Sequence, residues 1–221
     1  SKNLNDGISL INVAEGGLNE QAGILTRLRE VLSVAGGAIG QNERDTLQLE
    51  INTLRDEFNR IANGTEFIGL KLLDGTLGRS VTTSKQITIS TGLNSEEESQ
   101  LNLNKLVDLE STDTATLDLD SISVSTFARS IDSLAQVEEA QDTISGYRAS
   151  IGVTQNRLVR ALATLNVSVE NLNAAYSVIS DADIAEEVAN LTKQQLLVQS
   201  SAAMVGQANL IPEGVLLLLQ Q

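Results

Sequence analysis

Cysteine and histidine are both absent from this chain of 221 residues. Without thiols there is no disulfide and no thiolate metal site, and cysteine usage says nothing about compartment. Without imidazole the commonest general base and the commonest transition-metal ligand are missing. Tryptophan is absent too, and aromatics make up only 2%. They are Phe58, Phe67, Phe127, Tyr147 and Tyr176. Hydrophobic content is nevertheless 41%, so Leu, Ile, Val and Ala must fill the core. Such a core suits helix seams, where aliphatic knobs enter holes, better than a pocket shaped to grip a ligand. The single proline, Pro212, leaves nearly all of the chain free to be helix or strand. Basic side chains are scarce, 15 against 29 acidic ones, for a net charge of −14. That balance argues against nucleic acid, which needs a basic face to displace counterions, and against an anionic membrane surface. It describes a solvated surface that repels its own kind. Ser1 to Asp6 is polar and carries no secretory signal pattern, and Val215 to Leu219 is apolar but far too short to span a bilayer.

What the chain does have is periodicity. Between Leu134 and Ile179 a 3-4 spacing selects Leu134, Val137, Ile144, Ile151, Leu158, Leu162, Leu165, Val169, Leu172, Tyr176 and Ile179. Gln141, Arg148 and Gln155 are the exceptions. A stripe repeating every 3.5 residues predicts a long helix whose seam other helices must cover. At roughly 1.5 Å per residue it runs about 70 Å, too long for an ordinary compact domain. The fold class expected is mainly α with a small β region: an elongated antiparallel helical rod, or coiled-coil bundle, carrying a β-hairpin.

Four regions follow along the chain. Residues 1–62 read as two helices. The first, from about Asn5 to Ala35, has the stripe Ile11, Ala14, Leu18, Leu25, Leu28, Leu32 and Ala35, with Gln21 as its polar interruption. The glycines from Gly36 to Gly40 stop it. The second opens near Asn42, with acids in its first turns where the helix dipole favours them, and ends at Asn63-Gly64. Residues 63–130 alternate short apolar runs with turn formers. Ile87-Thr88-Ile89 and Leu101-Asn102-Leu103 have period two and predict a hairpin with a charged tip from Thr91 to Glu98. Leu117 to Val124 alternates likewise and reads as a further strand or an extended loop. Residues 131–180 are the long helix. Ser180 to Asp183 is expected to break it and cap a last helix over 181–221, closed by Pro212. On that last segment Ile184, Val188, Leu191, Val198 and Val205 lie near one face. No equally long amphipathic helix remains to cover them, so this face needs a partner.

Chemistry finds no foothold. Gly36 to Gly40 lacks the Lys-Ser/Thr and the preceding strand of a phosphate loop, and reads as a helix C-cap. Asp108, Glu110, Asp113, Asp118 and Asp120 lack the order of a calcium loop and read as outward-facing acids. Glu138-Glu139 and Glu186-Glu187 are sequence neighbours on helices, so each pair points apart. No cofactor, catalytic residue or metal site is indicated, and the chain does not read as an enzyme. Asn63-Gly64-Thr65 and Asn190-Leu191-Thr192 fit a glycosylation pattern too short to carry weight.

Several of these segments resemble bacterial flagellin. Asn5-Asp6-Gly7-Ile8-Ser9 and Ala14-Glu15-Gly16-Gly17-Leu18-Asn19-Glu20 are similar to the family's NDGIS and AEGALNE motifs. Residues Phe67 to Gly75 resemble FNGxKLLDG, and Val153 to Leu158 resemble GAxQNR. Ile184 to Val188, Gln207 to Asn209 and the Pro212-to-Leu219 end resemble the family's C-terminus. The likeness covers nearly the whole chain, in order.

The resemblance implies a structural subunit of the flagellar filament, self-assembling for motility, exported by the flagellar type III route and located outside the cell. It implies a homopolymer partner and an export chaperone that covers the C-terminal helix. It also implies a longer helical segment before the NDGIS motif, hence an N-terminally truncated form with no large outer domain. Such a form is expected not to build native-type filaments by itself. The family's surface for vertebrate Toll-like receptor 5 aligns with Thr26-Arg27-Leu28-Arg29-Glu30-Val31 and Glu50. Arg27 and Glu50 match the pattern, whereas Thr26 and Val31 depart from it. The candidate receptor patch is therefore Arg27, Val31 and Glu50. The rod core is expected at Leu134, Val137, Ile144, Ile151, Leu158, Leu162, Leu165, Val169 and Leu172. Two alternatives stand beside the filament subunit: a binding module for a chaperone or immune receptor, and a related hook-filament junction protein.

Overall fold

A computed structural model describes residues 2–91 and 100–219, with side chains described for all of these except 181–183 and 209–219. The chain divides into two compact units, Ser1–Asn166 and Val167–Gln221. The fold is mainly helical with a small antiparallel β region.

In the first unit α1 spans Lys2–Ala35 and α2 spans Gln41–Gly64. The buried stripe of α1 is Leu4, Gly7, Ile11, Ala14, Leu18, Gln21, Leu25, Leu28, Leu32 and Ala35. This is the 3-4 pattern read from the sequence, extended one heptad towards the N-terminus. Two short hairpins follow. β1 (Glu66–Phe67) pairs with β2 (Leu70–Lys71), and β3 (Thr88–Ser90) pairs with β4 (Gln100–Asn102), both antiparallel. The second is the predicted hairpin, with Ile89 opposite Leu101. Its expected charged tip lies, beyond Thr91, outside the described residues. A short helix α3 (Leu103–Val107) leaves β4, capped by Asn102, whose side chain accepts from the Lys105 N–H.

Leu117 to Val124 is not a strand. Its alternation is real, for Leu119, Ile122 and Val124 are buried. Its backbone, however, is satisfied locally and by side chains rather than by a ladder. The Leu119 N–H donates to Thr114 O at 2.7 Å, the Ser123 N–H to Ser133 Oγ at 3.0 Å and the Val124 N–H to Gln48 Oε1 at 2.9 Å.

The long helix α4 spans Phe127–Leu219. It continues through Ser180 to Asp183, where a break was expected, and past Pro212, where an end was expected. Between Gly152 and Gly206 it contains neither Gly nor Pro. The modest helix penalties of Ser and Asp do not stop an established helix. Pro212 removes one backbone donor without ending the run.

Candidate assembly surfaces

α4 lies antiparallel to α1 in the first unit. Arg29 pairs with Glu138 at 3.0 Å, and the Gln155 side-chain amide donates to Asn12 Oδ1 at 2.6 Å. Near one end a Cβ on Gly36 would touch Ile131 Cδ1; near the other, one on Gly7 would touch Leu158 Cδ1. A Cβ on Gly7 would also overlap Ile89 Cδ1, so glycine there lets β3 press directly against α1.

The expected rod core is placed unevenly. Val137, Ile144, Ile151 and Leu158 are buried, while Leu134, Leu162 and Leu165 are half-buried against the same cluster. Val169 and Leu172 are exposed, at 39% and 51%. The α1–α4 register explains this: continued, it sets Lys2 beside Leu165, and no described residue of α1 reaches further. The centre of the buried stripe also contains Ser130, Ser133, Ala140 and Thr154, which apolar periodicity overlooked. Ser130 and Ser133 are buried against Arg44 and against the loop at Ser123, respectively. The exceptions Gln141, Arg148 and Gln155 then fall on the half-buried flank, where Gln155 reaches Asn12.

Three buried polar side chains hold the first unit together. Gln21 donates to Thr112 O at 3.1 Å, tying α1 to the loop after α3. Asn104 donates to Thr76 O and Gly78 O and accepts from the Ile87 N–H, joining the loop after β2 to the second hairpin. Arg44 donates to Ala35 O, Gly37 O, Val124 O and Ser130 Oγ. The sequence did hold a signal for Arg44. A cation in the first turn of a helix opposes the dipole unless it reaches another helix's C-terminal carbonyls, as it does here at Ala35.

On the surface of α1 and α2, the Arg27 guanidinium meets Glu50 at 2.7 Å and Glu30 at 3.0 Å. Arg27 and Glu30 are exposed, and Glu50 is half-buried beside them. Val31, counted with this patch from sequence, is only 3% exposed and belongs to the core. Val31 follows Leu28 by three residues, about 60° round the helix, and so lies at the edge of the buried stripe.

Among the acids weighed for calcium, Asp120 is held below its ordinary range by the Thr114 hydroxyl and by Arg55, at 2.6 and 2.8 Å. Burial pushes Asp113 up, but hydrogen bonds from Thr116 and Ser111 outweigh it and lower the group overall. Asp113 is used up in its own turn, and Asp120 in the contact with Thr114 and the ion pair to Arg55 of α2. Among the described residues no three His, Cys, Asp or Glu side chains gather as a metal site would need.

In the second unit, Ile184, Val188, Leu191, Val198 and Val205 are all exposed, as are Leu196, Leu197 and Met204. Ala189, Thr192, Lys193, Leu196, Leu197 and Ser200 line an open, shallow apolar groove on this helix. So many large aliphatics on one exposed helix mark a surface for protein contact.

Comparison with known proteins agrees with this architecture. The family model of the bacterial flagellin N-terminal helical region matches residues 1–77, and that of the C-terminal helical region matches residues 134–219. Flagellin of Bacillus subtilis is 38% identical over 242 aligned residues, covering all of this chain and 80% of the relative. The flagellar filament 30.7 kDa core protein of Treponema maltophilum is 32% identical, covering 99% of this chain and 78% of the relative. The crystal structure of Bacillus cereus flagellin superposes with a TM-score of 0.60 at 26% identity, covering 79% of this chain and 94% of that one. The chain belongs to the bacterial flagellin family, and is a non-enzymatic structural subunit of the flagellar filament that assembles with other flagellin subunits.

Proposed function

We propose that the two units divide the work of a filament subunit. Residues 1–166 carry their own core and act as the folded body. Residues 167–221 carry the aliphatic face that is buried only when copies assemble. The observation behind this reading is the exposure of Leu191, Val198 and Val205 on a helix with no covering element among the described residues. Burying such side chains stabilises by about 1.5–3 kcal/mol each, enough over several contacts to hold a polymer without chemistry. In full-length protein, Leu191→Asp with Val198→Asp should abolish polymerisation seen by electron microscopy. Thermal unfolding of the first unit should be unchanged. Filaments forming at the wild-type concentration would sink the assignment.

The same face is the part an export chaperone would cover before assembly, and export places the protein outside the cell. A stoichiometric chaperone complex, lost in the double variant, supports that step. For the receptor, exposed Arg27 and half-buried Glu50 offer a surface ion pair spanning two helices. Val31 contributes only through the core. A receptor-reporter assay with the full-length protein should lose signal on Arg27→Ala, and unchanged signal removes the patch from consideration.

A further inference from the structure

Sulfur is nearly absent from this chain. With no cysteine, Met204 holds the one sulfur atom in 221 residues. That atom is not sheltered, for Met204 is 69% exposed on the helix of the second unit. Three of its four neighbours one turn away, Ser200, Ser201 and Ala208, are too small to shade it. Large aliphatics flank it nonetheless. Leu197 lies on the same side of the helix, since seven residues span close to two turns of about 3.6. Leu197 lines the shallow groove with Lys193, Leu196 and Ser200, and Met204 continues that line one turn beyond Ser200. Val198 and Val205, on the face assigned to assembly, are exposed beside it. A thioether suits such a surface because it is apolar, flexible and polarisable.

We propose that Met204 is a site of reversible oxidation that gates assembly: a hydroperoxide converts its thioether to the sulfoxide, and the sulfoxide keeps this helix out of the polymer. This rests on the filament reading of residues 167–221 and adds to it a chemical modification. The sulfur lone pair attacks one oxygen of the peroxide. The O–O bond breaks as the S–O bond forms, and the second oxygen leaves with the proton as water or an alcohol. Sulfur loses two electrons and the peroxide gains them. With no thiol in the chain to react first, Met204 takes the oxidant. The product brings a strong acceptor onto an aliphatic surface, where burial without a donor is costly. In assembled copies the same burial holds the sulfur away from peroxide. The modification therefore acts on free subunits and spares those already in the polymer.

The test uses full-length protein, hydrogen peroxide as the probe and the critical concentration for polymerisation as the readout. Peroxide treatment of monomers, with the added oxygen located at Met204 by peptide mass spectrometry, should raise that concentration by about ten-fold or more. Methionine sulfoxide reductases, one for each sulfoxide epimer, should return it to within about two-fold of the untreated value. Met204→Leu should polymerise normally before and after the same treatment, which controls for oxidation elsewhere. Met204→Gln, which places a polar amide there without any oxidant, should behave like the oxidised protein. In preformed filaments Met204 should be oxidised at least about ten-fold more slowly than in monomers. Oxidised protein that polymerises like untreated protein would overturn the proposal and leave the filament reading intact. So would a Met204→Leu variant equally damaged by peroxide, or equal oxidation rates in filament and monomer. Should untreated wild-type protein itself fail to polymerise, the underlying reading falls, and this site falls with it.

Discussion

Ile68 sits at the tip of the β1–β2 hairpin with φ +53, followed by Gly69 with φ +77. Two consecutive positive φ values are what a two-residue type I′ turn requires. Glycine adopts them freely, but a β-branched side chain crowds its own backbone there. The side chain is 86% exposed, so packing returns almost nothing for that strain. Ile68→Asn should therefore stabilise the monomer by about 1 kcal/mol, and Ile68→Gly should gain less because it frees the unfolded chain. Thermal or urea unfolding measures both. A loss of stability in the asparagine variant would show that Ile68 makes contacts its exposure does not reveal.

For the long helix, the decisive matter is where a neighbour lies. Ala140 and Leu172 both occupy α4, yet Ala140 is buried in the core and Leu172 is half exposed. Ala140→Leu forces extra volume into the packed core and should cost about 1–3 kcal/mol. Leu172→Ala should change monomer stability by less than about 0.5 kcal/mol. Urea unfolding of the two variants separates them, and equal effects would contradict the α1–α4 register described above. Periodicity predicted α1, α2, the second hairpin and the long helix, because hydrophobic spacing reports secondary structure directly. It overran the core at Val169 and Leu172, because spacing says which residues share a face and not whether that face is covered. It also overlooked Ser130, Ser133 and Thr154, since a polar side chain can be buried when its hydroxyl bonds to nearby backbone. Thr154 does so with Ser150 O at 2.8 Å, and Ser133 with Ser123 O at 3.1 Å. The break expected at Ser180 to Asp183 failed for a related reason: capping residues mark a helix end only where the chain has cause to turn.

Whole-molecule stability should be sensitive to acid. The folded pKa of Asp120 is depressed below the ordinary value of 3.8, mainly by the Thr114 hydroxyl and then by Arg55. Its contribution is fully present above that value and is lost as pH falls through the lower, folded one. The sign for Asp113 is the same. Asp120→Asn should flatten the fall in stability below pH 3.8 and lower the plateau above it, as followed by denaturant unfolding at a series of pH values. An unchanged acid limb would mean that the Thr114 and Arg55 contacts persist in the unfolded chain.

By itself the sequence determined that this protein has no metal-thiolate, imidazole or disulfide chemistry, that its cores are aliphatic seams, and that its segments follow the order of a flagellin. Those conclusions depend on composition, spacing and motif, which are properties of the chain as written. Only the tertiary structure decided which part of each seam is covered, that Val31 faces inward while Arg27 and Glu50 face out, and that Arg44, Asn104 and Gln21 hold the loops. Burial depends on what lies across from a residue, and partners distant along the chain become neighbours only once the helices have packed.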